Sequence, residues 1–103
     1  MPYSIQFAPD AVEHFRDLRK YDQVRIRDAV LAQLTHEPDV ETRHRKRLQS
    51  PLFGVYELRV GDFRVFYDVD AESTSVVVQA VGIKKHARLF VGGEEISEKE
   101  GEP

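Results

Sequence analysis

The stretch Val55–Phe90, VYELRVGDFRVFYDVDAESTSVVVQAVGIKKHARLF, decides the fold. Tyr56, Leu58 and Val60 alternate with Val55, Glu57 and Arg59; after Gly61-Asp62, Phe63, Val65 and Tyr67 alternate with Arg64, Phe66 and Asp68. A period of two marks strands with one buried face. Gly-Asp between two such runs predicts a tight hairpin, because glycine supplies the positive φ of a primed turn. Asp70 to Ser73 make the next turn, and Val76, Val77 and Val78 open a β-branched strand ending near Val81-Gly82. A two-residue hairpin pairs Val60 with Phe63 and sets Arg59 opposite Arg64. Like charges directly opposed are destabilising unless an anion lies between them. That anion is either Glu57 or a phosphate bound across both arginines, whose planar forks suit phosphate oxygens. The alternative is that both are solvent-side charges that discourage edge pairing.

Upstream, Tyr3, Ile5 and Phe7 alternate with Ser4 and Gln6, a short strand. Pro9 and Asp10 open a helix, and Ala11, Val12, Phe15 and Leu18 give it one apolar stripe. Tyr21-Asp22 breaks that pattern, with Asp22 placed to cap a second helix. Ile26, Val30 and Leu34 form the second stripe, His36 falls in the last turn, and Pro38 stops it. Residues 38–54 are irregular and cross from the helices to the sheet. The expected fold is α+β: β-α-α-β-β-β, with or without a short C-terminal element, and with a helical hairpin packed on one face of a mostly antiparallel four-stranded sheet.

A chain of 103 residues fits one domain. The expected folded unit is 1–91, with 92–103 an acidic, flexible tail. No cysteine is present, which excludes disulfides and thiolate chemistry and fits a reducing compartment. No apolar run approaches the roughly 18–20 residues needed to cross a bilayer. MPYSIQF has neither the basic nor the apolar part of a secretory signal, so the expected location is cytoplasmic, away from membranes. His14, His36, His44 and His86 are scattered without ligand spacing, so neither a metal nor another cofactor is expected. His14 and His36 read as surface residues.

The net charge of −3 hides a segregation. Residues 43–90 carry nine basic and five acidic side chains, while acidic residues outnumber basic ones on both sides. A positive block inside an acidic chain can bind a polyanion locally. Its cations fall in two groups. Arg59, Arg64, Lys84, Lys85 and Arg88 lie on or after the strands. Arg43, Arg45, Lys46 and Arg47 form the run RHRKR, which reads equally as a nucleic-acid patch or a solvated loop. His86 sits among Lys84, Lys85 and Arg88, where neighbouring cations favour the neutral imidazole and suit it to accept a proton.

In the order and spacing of YSIQFAPDAVEHFRDL, LRVGDFRVFYDVD and VVVQAVGIKKHARLF, the chain resembles the RelE/ParE superfamily of toxins from type II bacterial toxin–antitoxin systems. The resemblance covers nearly the whole domain. It implies the fold above and a small antitoxin as partner. For RelE-like members it implies ribosome-dependent cleavage of mRNA by attack of a ribose 2′-hydroxyl on the adjacent phosphate, with cations stabilising the transition state and no metal required. Carried over by position, Arg64 and Lys84 are the transition-state cations, with His86 as the candidate proton acceptor. Arg59, Lys85, Arg88, Arg43, Arg45, Lys46 and Arg47 are then candidates for holding RNA phosphates. Val55 and Glu57 stand where RelE enzymes carry lysines, and Phe90 where they carry a tyrosine. These departures leave open a ParE-like poison that binds DNA gyrase, and a folded relative with weak or no toxicity.

Overall fold

The computed structural model describes residues 1–96. In chain order the elements are β1 (Ser4–Phe7), α1 (Pro9–Arg16), α2 (Lys20–Leu34), β2 (Arg45–Arg47), β3 (Tyr56–Val60), β4 (Phe63–Asp70), β5 (Ser75–Lys85), β6 (Arg88–Val91) and β7 (Glu94–Ile96). The strands make one seven-stranded sheet in the order β2-β3-β4-β5-β6-β7, with β1 joined to β5. All pairings are antiparallel except β1 with β5. The expected α+β class and the helical hairpin hold, but the sheet has three more strands than expected. β2 forms inside the RHRKR run, and β6 and β7 follow β5. β7 also carries the sheet past the boundary expected at residue 91. The rest of the expected tail, 97–103, lies outside the described residues.

α1 starts as its sequence dictates, with Pro9 at its first position and Asp10 in the first turn, where a negative charge meets free backbone N–H groups. Asp22 does not cap α2. The residue before that helix is Arg19, and Asp22 lies buried within the first turn. Its carboxylate accepts from Arg19 Nε at 3.2 Å and faces Arg25 Nη1 at 3.8 Å. His36 lies two residues beyond α2 rather than in its last turn.

One face of the sheet holds the main core. Ala11, Ile26, Val30 and Leu34 from the helices meet Tyr56, Leu58, Phe63, Val65, Tyr67, Val76, Val78 and Val81. A register shift between Phe66 and Tyr67 sets Phe66 opposite Ala80 and Tyr67 opposite Val78, leaving Gln79 as the extra residue of a β-bulge. The bulge lets Val78 and Val81 share the helix face and Ala80 take the other. That other face is not bare: Phe66, Ala80, Leu89 and Val91 form a second, smaller cluster with Leu48, Phe53 and Ile96. No helix among the described residues is long and apolar enough to cross a membrane.

Candidate anion site on the open sheet face

The β3–β4 hairpin builds the site. Gly61 takes φ +60°, the two-residue turn closes, and Val60 pairs with Phe63 and Arg59 with Arg64, the predicted register. Strand alternation puts Glu57 and Arg59 on the face away from the helices. The opposed arginines are reconciled by Glu57. Its Oε1 accepts from Arg59 Nε at 3.2 Å and lies 3.9 Å from Arg64 Nε. The Glu57 and Arg64 side chains are only 10% and 14% exposed, against 48% for Arg59. Arg64 is held further by its own turn, Nη1 donating to the carbonyls of Gly61 at 2.8 Å and Phe63 at 2.9 Å.

Beside this triad lies a hollow of about 900 Å³. Glu41, Glu57, Arg59, Lys46, Arg47 and Lys84 supply its charged lining, Glu41 accepting from the Arg47 backbone N–H at 3.1 Å. Leu48, Leu52, Phe53, Phe66 and Leu89 supply an apolar wall, in which the rings of Phe53 and Phe66 stand 5.5 Å apart. Sequence reasoning missed this wall. Its signal was LQSPLF, residues 48–53, where apolar residues interrupt a polar crossing segment.

The remaining candidates divide by face. Lys46 pairs with Glu57 across β2 and β3 and belongs to the hollow. Arg47 borders the hollow, but it is the register partner of the core residue Tyr56 and its guanidinium lies 5.9 Å from that ring's centre, on the helix side. Arg45 also points to the helix side. It donates to the carbonyls of Gln33 and, at 3.4 Å, His36, tying β2 to the end of α2, where carbonyls lack helical partners. Arg43 is exposed on the loop before β2 and does not line the hollow. Lys84 and Lys85 are consecutive on β5 and so face opposite sides. Lys85 lines a separate hollow of about 310 Å³ on the helix side, with His14, Asp17 and Phe90. Phe90 therefore stands across the sheet from the arginines. Arg88 meets Glu95 of β7 at 3.7 Å. His86 is exposed in the β5–β6 turn at φ +52° and lines neither hollow. His14 is not a plain surface residue: its Nδ1 accepts from the Val81 N–H at 3.2 Å, on the stretch of β5 between its pairings with β1 and β6.

Residues 5–90 match the family model of the ParE toxin of the type II toxin–antitoxin system parDE. The chain belongs to the RelE/ParE superfamily. The toxin has no match among curated proteins. Among solved structures it is similar to the RelBE2 toxin–antitoxin complex from Mycobacterium tuberculosis, with 27% identity and a TM-score of 0.71 over 82% of this chain and 93% of that one. It is also similar to the archaeal RelE–RelB complex from Pyrococcus horikoshii OT3, at 21% identity and TM-score 0.67 over 84% and 100% of the two chains. A third likeness is to the intact E. coli RelBE complex, at 19% identity and TM-score 0.56 over 82% and 99%. The last two show the shared fold alone.

Proposed function

We propose that the toxin is an mRNA endoribonuclease acting on ribosome-bound message, and that the open sheet face holds the phosphate under attack. The observation that carries this reading is the gathering of Lys46, Arg59 and Lys84 around one hollow, with Arg64 set beside Arg59. In the reaction the ribose 2′-oxygen forms a bond to phosphorus, the bond to the 5′-oxygen breaks, and a proton leaves the first oxygen and joins the second. Negative charge grows on the phosphoryl oxygens. Cations already fixed in place stabilise that charge without reorganising at the moment of reaction. Positioned acid–base groups add roughly 10²–10⁴-fold where they are present. The neutralising partner is a small antitoxin.

A second reading, a gyrase poison acting by binding, has two observations in its favour. The matching family model is the ParE toxin, and neither His86 nor Phe90 lines the hollow with the arginines. The deciding experiment is induction without the antitoxin, followed by mapping of mRNA ends. Codon-positioned cuts that vanish in Arg64→Ala support the endoribonuclease. Intact message with broken DNA supports the gyrase poison, and growth arrest by a folded Arg64→Ala protein removes Arg64 from the site.

A further inference from the structure

We infer that Glu57 is a built-in counter-anion that sets an affinity threshold on the hollow, excluding single phosphates and admitting a single-stranded polynucleotide. This rests on the reading of the open face as a phosphate-holding site. Glu57 and Arg59 line the hollow while Arg64 does not, so the Glu57 carboxylate already stands where the anionic group of a ligand would meet Arg59, with Arg64 Nε 3.9 Å from that carboxylate. With Glu57 and Arg64 nearly buried, the pair is compensated internally, and drawing the arginines away leaves a buried carboxylate without its partners. A lone phosphate must repay that loss while lying beside a like charge. A polynucleotide gains elsewhere at the same time. Neighbouring phosphates reach Lys46 and Lys84 along the rim, and a base can lie on the Phe53 side of the apolar wall. Polynucleotide over acidic peptide follows from this pairing of guanidinium forks with an aromatic wall.

The test compares the full-length toxin with Glu57→Gln, which keeps the shape and the acceptor for Arg59 but removes the charge. The probes are inorganic phosphate, a mononucleotide and a short single-stranded RNA. Glu57→Gln is expected to bind the mononucleotide at least about tenfold more tightly, with a smaller gain for RNA, so that RNA selectivity falls. The salt dependence of its RNA binding steepens by up to about 0.7 in log–log slope if one more phosphate is neutralised. An unchanged RNA-to-mononucleotide ratio overturns the inference. In the unmutated toxin, the Arg59 and Arg64 Nε–H resonances should move as RNA binds. If they stay fixed while RNA binds, Glu57 is not displaced and the threshold fails. The Arg59→Ala/Arg64→Ala double variant separates the two levels. RNA binding undiminished in it sinks the phosphate-holding reading together with the threshold. RNA binding lost in it, with Glu57→Gln unchanged from the parent, sinks the threshold alone. A polyglutamate peptide that displaces RNA at equal charge concentration overturns the choice of polynucleotide.

Discussion

Tyr67 is fully buried, its ring stacked 5.4 Å from that of Tyr56 and its hydroxyl donating to the Pro38 carbonyl at 2.8 Å. Burial raises its ionisation well above the usual phenol range. The protonated form is the one the folded state favours, so this contribution is complete below the unfolded-state value of about pH 10 and declines as pH rises above it. Alkaline titration should therefore unfold the toxin as Tyr67 ionises, with Tyr67 phenolate absorbance appearing together with loss of helical circular dichroism. Phenolate signal from all four tyrosines with the fold intact would refute this. Tyr67→Phe should lose about 1–3 kcal/mol in chemical denaturation, because the Pro38 carbonyl loses its donor. The Arg59–Arg64 opposition was legible in the sequence, since a two-residue turn and a period of two leave one register. The placements of His14 and Arg45 were not. Each depends on a partner remote in sequence, Val81 and Gln33, that no local pattern can indicate.

The long elements and the short β1, with its clean alternation, declared themselves; β2, β6 and β7 did not. β3 and β4 alternate over enough residues to show their period, whereas β2 and β7 have three residues each and β6 four. β2 was further masked because its residues are all cations, read as a patch before they could be read as a strand. The β5–β6 hairpin was hidden for another reason: its two turn residues, His86 and Ala87, both take positive φ, at +52° and +66°. Such turns usually announce themselves with Asn-Gly or Asp-Gly. Ala87→Gly is therefore expected to stabilise the toxin by roughly 0.5–1 kcal/mol, the relief of a strained non-glycine conformation outweighing the added freedom of the unfolded chain. A lower denaturation midpoint for Ala87→Gly would show that the turn is not strained. Gly82 works in the opposite sense. A Cβ there would stand 2.7 Å from the Phe90 carbonyl oxygen, so Gly82 allows β6 its close approach to β5.

The molecule is a sheet with unequal cover: two helices and a large core on one side, a small cluster beside a charged hollow on the other. Stability should follow that inequality. Backbone amides of β4 between Val65 and Tyr67 lie in the sheet centre, whereas β7 is an edge strand and β6 lies beside it, on the smaller cluster. Native-state hydrogen exchange should find β6 and β7 opening at a lower free energy than β4. Equal protection across the sheet would mean that the two faces unfold as one unit. The two-layer architecture was legible because helical and strand periods occupy separate parts of the chain. The apolar half of the hollow was not, because Leu48 and Phe53 come from an irregular crossing and reach Phe66 and Leu89 only once the sheet has formed.

The pairing of β1 with β5 also reaches into the life of the chain during its synthesis. Ser4 is the register partner of Ser75 and Phe7 of Val78, so the first strand has no place in the sheet until most of the chain exists. Long-range pairings of this kind close late and slowly. A growing chain emerging N-terminus first exposes its helices and an orphan strand, then the arginine hairpin, and only afterwards the strand that joins them. The fold thus works as a timer: a copy that ends before β5 lacks the strand that joins β1 to the rest of the sheet and, with it, Lys84 of the hollow.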